Sequence, residues 1–218
     1  MKIIKPFVEF ITPVDGSVIL SRIEQCGRVC YKSEDKIMDG SAETFVRGII
    51  KRGHEAVLEH CSFTVKFVCD RGVSHEIVRH RLAAYCQEST RYCNYSKGQF
   101  GGEITVIEPC YLAEGTAAYN TWYAACEAAE KAYFDLLNIG LTPQEARAVL
   151  PNSLKTEVCM TADIREWRHF FKLRCSPAAH PQMREVATQL LVAAREKIPV
   201  LFDDIYPEAS GSEVSIHA

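Results

Sequence analysis

The spacing of apolar residues changes period several times along this chain, and each change marks an element. Phe7, Val8 and Phe10 alternate loosely and predict a short strand. Over 17–30, Leu20, Ile23 and Val29 fall near one helical face, with Ser17 as the candidate cap. A second helix is predicted over 42–52. Ser41 caps it, Phe45, Val46, Ile49 and Ile50 form its stripe, and Gly53 stops it. Residues 62–69 alternate cleanly, with Phe63, Val65 and Phe67 on one side and Thr64 and Lys66 on the other, which predicts a half-buried strand. Residues 73–85 read as helix, 87–95 as extended chain and 104–107 as a short strand.

A long helix is predicted over 116–139, ending at Gly140. Thr142-Pro143-Gln144-Glu145 is a capping box with proline at the first helical position, so another helix starts there. Residues 153–160 read as extended. Asp163 then caps a helix over 164–174, with Glu166 three residues on, and a last helix over 181–197 carries Met183, Val186, Leu190 and Leu191 as its stripe. The order does not alternate βαβα. It predicts an α+β fold, a single helix-rich domain over 1–210 with a small mixed or antiparallel sheet, followed by a flexible tail over 211–218.

Charge and composition narrow the function classes. The 218 residues carry 25 basic and 28 acidic side chains, a net charge of −3. That balance argues against a nucleic-acid coat or a polybasic membrane binder. No apolar run approaches the roughly 18 residues of a membrane span. The first residues lack a signal-peptide core, so the expected compartment is the cytoplasm. The ten cysteines include no CxxC pair and mostly sit inside apolar patterns, as reduced, small hydrophobes do.

Two stretches break the ordinary pattern. Residues 71–97 concentrate Arg71, His75, Arg79, His80, Arg81, Arg91 and Lys97 among Tyr85, Tyr92 and Tyr95. On a helix Arg79 and Arg81 point roughly 200° apart, so they serve two ligands or one composite site completed by a neighbouring subunit. Extended geometry after them places Gln87, Ser89 and Arg91 on one side, a face of hydroxyl and guanidinium that suits a phosphate. The competing reading is a solvated basic helix beside an edge strand. In the second stretch, 164–174, Arg174 shares the face of Trp167 and Phe171, where it is paired with an anion or reaches out to water. Arg165 and His169 share another face. His54-Glu55 and Glu59-His60 resemble a zinc helix only superficially, because the second histidine falls two residues too late for HExxH, and no metal is expected.

Arg79-His80-Arg81, then seven residues, then Ser89 reproduces the RHR-x7-S motif of the flavin-dependent thymidylate synthases, and Thr90-Arg91-Tyr92 continues it. Gly53-His54-Glu55 with Glu59-His60 resembles the GHE…EH segment of that family. Ala146-Arg147-Ala148-Val149-Leu150-Pro151 resembles its AR-x-VLP segment. Asp163-Ile164-Arg165, His169 and Leu173-Arg174 lie where it has NAR…N…LR, and His180-Pro181-Gln182 is similar to its HAQ. The chain departs from the commonest pattern at Ala56, Gln87, Asp163 and His169.

The resemblance implies reductive methylation of dUMP to dTMP, with methylenetetrahydrofolate supplying the carbon and FAD, reduced by NADPH, supplying the hydride. It implies a homotetramer with active sites shared between subunits. By position it assigns FAD to His54, Ala56, Glu59, Arg79, His80, Arg81, Gln87, Asp163, Arg165 and His169. It assigns dUMP to Glu76, Arg79, Gln87, Glu88, Ser89, Thr90, Arg91, Arg147 and Arg174, with Arg174 as the catalytic residue at the uracil. Two rivals have a sequence feature each. Pro109-Cys110 superficially matches the nucleophile of a folate-only thymidylate synthase, but Tyr111-Leu112-Ala113 lacks the polar residues expected after it. The basic, tyrosine-bearing 71–97 stretch is what a nucleic-acid module uses, against the acidic balance of the whole chain.

Overall fold

The computed structural model describes residues 1–205, so the predicted tail 211–218 and the end of the 1–210 span lie outside the described residues. The chain groups into two compact units, neither continuous in sequence. The first comprises Met1–Val8, Lys66–Arg79 and Tyr85–Cys159, and the second comprises Glu9–Val65, His80–Ala84 and the chain from Met160 onward.

In the first unit β1 (Lys2–Ile4), which the apolar pattern did not predict, pairs in parallel with β5 (Thr105–Ile107), setting Ile3 opposite Val106. A three-residue strand is too short to show a period. Helix α4 (Ala117–Asn138) starts at Thr116, whose hydroxyl accepts from the Tyr119 amide at 3.2 Å. Past its end, Gly140 takes φ 101°, which only glycine adopts without strain. Tyr95, Ile104, Val106, Cys126, Tyr133, Ala146 and Leu154 close the core of this unit. The predicted capping box is present at α5 (Pro143–Ala146), where Glu145 accepts from the Thr142 amide at 2.8 Å.

Helix α3 runs only over Arg71–Ile77, not 73–85. Asp70 caps it by accepting from the Val73 amide at 2.8 Å. The Tyr85 hydroxyl donates to the freed Ile77 carbonyl at 2.9 Å, closing the helix end, and Tyr85 itself belongs to strand β4 (Ala83–Gln87). The predicted extended stretch 87–95 therefore ends at Gln87. Beyond it the chain turns, with the amides of Tyr92 and Cys93 donating to the Ser89 carbonyl.

In the second unit α1 (Gly16–Tyr31) is capped by Asp15 rather than Ser17; the carboxylate accepts from the Ser17 amide at 2.9 Å and the Val18 amide at 3.2 Å. Helix α2 (Ser41–Lys51) begins at Gly40, so Ser41 is its first residue and not its cap. The Ser41 hydroxyl instead donates toward the buried Glu24 carboxylate at 2.8 Å. A β-carbon on Gly27 would stand 2.5 Å from the Phe45 ring, so the α1–α2 crossing depends on that glycine.

A four-stranded sheet runs β2-β3-β6-β4, using β2 (Phe7–Phe10), β3 (Ser62–Asp70) and β6 (Lys155–Asp163). The predicted inward residues of β3, Phe63, Val65 and Phe67, are all buried. Helix α6 (Ile164–Arg174) packs Trp167 flat on Phe63 at 4.8 Å between ring centroids and buries Phe170 and Phe171 beside it. Helix α7 (Pro181–Lys197) buries its predicted stripe, and α8 (Pro199–Phe202) sets Phe202 edge-on to Phe171. Among the described residues no helix is long and apolar enough to cross a membrane.

Candidate active site

The candidate residues of the second unit gather on and around α6. Asp163 spends one carboxylate oxygen on the Glu166 amide at 2.8 Å, which fixes where the helix starts. Arg165 and His169, one turn apart, are both exposed, as the shared face predicts. The 3-10 segment Glu55–His60 is anchored by buried Leu58 and presents Ala56 and Glu59 outward. Glu59 accepts from Arg165 at 2.6 Å, an exposed pair of little stabilising weight and open to exchange of partners. His54, at the start of that segment, is exposed and shares a 2.9 Å hydrogen bond through Nδ1 with the Tyr31 hydroxyl.

Arg79, His80 and Arg81 are not helical, so the 200° divergence does not apply. The turn instead alternates them: His80 is 3% exposed, while Arg79 and Arg81 are exposed on either side. Neither guanidinium has a hydrogen-bond or ion-pair partner among the described residues. His80 was assigned to the cofactor by motif position, yet its ring is engaged by protein. Nδ1 lies 2.7 Å from Glu166 Oε1, and Arg174 Nε donates to Nε2 at 3.1 Å. Burial lowers the His80 pKa below its ordinary value, with Arg174 adding to the effect and the Glu166 carboxylate opposing it. His80, Glu166 and His169 place ligand atoms within 4.8 Å of one another. The cationic guanidinium against Nε2 disfavours a metal ion there.

Arg174 itself is half-buried at the end of α6, next to buried Phe171 and Cys175. Sequence reasoning missed both Glu166 as its indirect neighbour and Arg168. Arg168 is 1% exposed, donates to both carboxylate oxygens of Asp204 at 2.8 and 2.7 Å, and also reaches the Leu201 carbonyl. The helical spacing placed Arg168 next to Trp167 without showing which arginine goes inside.

In the first unit Gln87 donates to the hydroxyls of Ser74 at 3.0 Å and Thr156 at 3.2 Å. Glu88 accepts from Lys155 at 3.0 Å and from the Tyr95 hydroxyl at 3.3 Å; Lys155 also donates to Glu157 at 2.6 Å. Burial works against the Lys155 charge, but the two carboxylates outweigh it and raise the ammonium pKa, while Lys155 in turn lowers that of Glu157. The Ser89 hydroxyl accepts from the Arg91 amide at 3.3 Å, holding the turn. Thr90 is buried and accepts from Arg147 at 3.3 Å. Thr90, Arg147 and Arg71 line a concavity of about 330 Å³ with Leu150, Pro151 and Asn152. Arg71 Nη1 is buried there without a hydrogen-bond partner among the described residues. Arg71 was counted in the basic stretch but not assigned a role, and only three-dimensional proximity brings it beside Arg147. Glu76 is half-buried on α3.

Residues 19–200 match the family model for thymidylate synthase complementing proteins, Thy1. The flavin-dependent thymidylate synthase of Mycolicibacterium gilvum is 34% identical, the match covering 96% of this chain and 89% of that protein. The enzyme of the same name from Geobacter sulfurreducens is 33% identical over 83% of this chain and 79% of that protein. In structure, the chain resembles PolB, a UMP/dUMP methylase from Streptomyces cacaoi crystallised with 5-Br dUMP. The TM-score is 0.76 at 24% identity, covering 93% of this chain and 96% of that one, and supports the shared fold. The RHR-x7-S motif and the site residues gathered on α6 thus sit within a match that spans most of the sequence, and the chain belongs to the thymidylate synthase complementing protein family.

Proposed function

We propose that this chain is a flavin-dependent thymidylate synthase that methylates dUMP to dTMP, using methylenetetrahydrofolate as carbon donor and FAD reduced by NADPH. The observation that carries the reading is Arg174, a guanidinium held at Nε by a buried imidazole within a chain of this family. Carbon 5 of uracil becomes nucleophilic as negative charge develops on the ring, and a fixed guanidinium stabilises that charge without giving up a proton.

The residues of the second unit fit FAD. Arg81 is exposed and without a partner among the described residues, Arg165 holds an exchangeable surface pair, and His54 and His169 are exposed. These groups, with Ala56, Glu59 and Asp163, are the ones to hold a dinucleotide whose pyrophosphate seeks cations. Bound there, the flavin supplies hydride chemistry that no side chain offers. The chain's own part is to bind, orient and exclude water.

On the nucleotide side, Arg147, Thr90 and Arg71 form a cationic recess suited to a phosphate, and Arg71 brings a buried donor in need of an acceptor. Ser89 and Arg91 flank the same turn, with Arg79, Glu76, Gln87 and Glu88 completing the assigned set. We read the protein as a homotetramer whose sites are shared between subunits. None of the ten cysteines is in a disulfide among the described residues, which supports a working place in the reducing cytoplasm. The test is anaerobic oxidation of NADPH with and without dUMP, followed by product analysis. Appearance of dTMP supports the reading, and a protein that never binds FAD at saturation overturns it.

A further inference from the structure

We propose that Glu166 is a positioning residue for Arg174, acting through the buried imidazole of His80. This rests on the reading of Arg174 as the uracil-facing cation. An arginine Nε–H only donates, so the His80 Nε2 that receives it at 3.1 Å must be bare. The ring proton then sits on Nδ1, 2.7 Å from Glu166 Oε1, an atom that accepts. Both bonds demand the same tautomer, and each supports the other.

The placement of Glu166 is informative. Third in a helix behind an Asp cap, it stands where a capping box turns the side chain back to the cap. Here Asp163 accepts from the Glu166 amide, but the Glu166 carboxylate faces His80 and is 7% exposed. A carboxylate kept that far from water needs a strong donor, and the Nδ1–H supplies one. The ring is also confined sideways. Its centroid lies 5.0 Å from that of Phe170 and 5.5 Å from that of His169. With the ring fixed, a bond at Nε sets the plane in which the rest of the Arg174 fork lies, and fork orientation is what a planar charge on uracil reads.

The arrangement has a pH consequence. Among the described residues, the charged or titratable groups that act on His80 are Glu166, Arg174 and His169, all on α6. Protonation fills Nε2, removes the acceptor of Arg174 and sets two cations against each other. The His80 bond that orients Arg174 at Nε is thus lost on the acid side, at a pH that depends on the Glu166 charge.

Three preparations test this: wild type, Glu166→Gln and Glu166→Ala. Selective ¹⁵N labelling of histidine in the whole wild-type protein reads the tautomer directly, and the expected spectrum shows the His80 proton on Nδ1. The Gln amide oxygen still accepts from Nδ1–H, so Glu166→Gln should keep dTMP turnover within about threefold at pH 8. Its acid limb should move to lower pH, because the carboxylate that favours imidazolium is gone. Glu166→Ala should lose roughly tenfold in turnover and raise the KM for dUMP, less than the 10²-fold that a full ångström of misplacement costs. Flavin loading and flavin reduction by NADPH without dUMP should stay near wild type in both. A proton on Nε2, an Ala variant with wild-type turnover and acid limb, or a Gln variant as impaired as Ala overturns the proposal. If Glu166→Ala does not fold, the wild-type spectrum and the Gln acid limb decide. If the wild type forms no dTMP at all, the functional reading fails, while a proton on Nε2 still overturns the His80 relay and one on Nδ1 still supports it.

Discussion

At Arg174, charge and shape can be separated by one substitution. Arg174→Lys keeps the cation but loses the Nε donor to His80 and the planar fork. Turnover to dTMP at saturating dUMP should fall by about 10²-fold, the scale of losing one preorganised charge stabiliser. Flavin reduction by NADPH should fall much less, since no charge develops on uracil in that half-reaction. Wild-type turnover in the Lys variant would make Arg174 a structural arginine. His80 gives a second prediction at this scale. Burial holds its pKa below the ordinary value of 6.5, so the folded state binds the proton less readily than the unfolded chain. The stability His80 contributes is fully present above pH 6.5 and is lost as pH falls from there toward the lowered folded value. In urea titrations across this range, His80→Gln should weaken the acid-side loss; an unchanged slope would show that His80 does not carry it. Cys110 is exposed and in no disulfide among the described residues, and the reading needs no thiol nucleophile. Cys110→Ala should keep dTMP formation, and complete loss with FAD still bound would revive the folate-only mechanism.

Among the elements, α6 shows how far sequence reasoning reached. Its cap, its limits and its buried aromatic face were all legible, because Asp163 and the spacing of Trp167, Phe170 and Phe171 act locally. Asp163→Ala should therefore destabilise the fold by about 1 kcal/mol in chemical denaturation, the usual weight of an N-cap; no change would mean the cap bond is idle. The stretch 73–85 shows the limit. Neither glycine nor proline marks its break at Ile77, and Tyr85, eight residues on, continues the helical period. What ends the helix is a tertiary bond, the Tyr85 hydroxyl on the Ile77 carbonyl. His80 then goes inside because Glu166 and Arg174 satisfy it, and no hydropathy pattern shows that. The motif singles out residues 79–81 by identity alone, whereas the helical geometry expected for them fails because the helix stops at Ile77. Arg71 and Arg168 were invisible as individuals for a similar reason, since the neighbour of the one, Arg147, and the partner of the other, Asp204, lie far along the chain.

For the whole molecule, the reading predicts a homotetramer by sedimentation or light scattering, and a fully active monomer at dilute concentration would sink it. The divergence of Arg79 and Arg81 no longer supports that assembly, so the measurement rests on the family reading alone. The interleaving of the two units has a different consequence, for synthesis. The first unit needs residues from Met1 through Cys159, and the second, though it opens at Glu9, is unfinished before the helices past Met160 exist. A ribosome delivering this chain from its N-terminus cannot release one finished unit and then start on the other. The early strands must wait for distant partners, and such late pairing is slow and leaves sheet edges open meanwhile. Nascent chains halted before α7 should remain protease-sensitive along most of their length, with protection arriving late and in both units at nearly the same point of elongation.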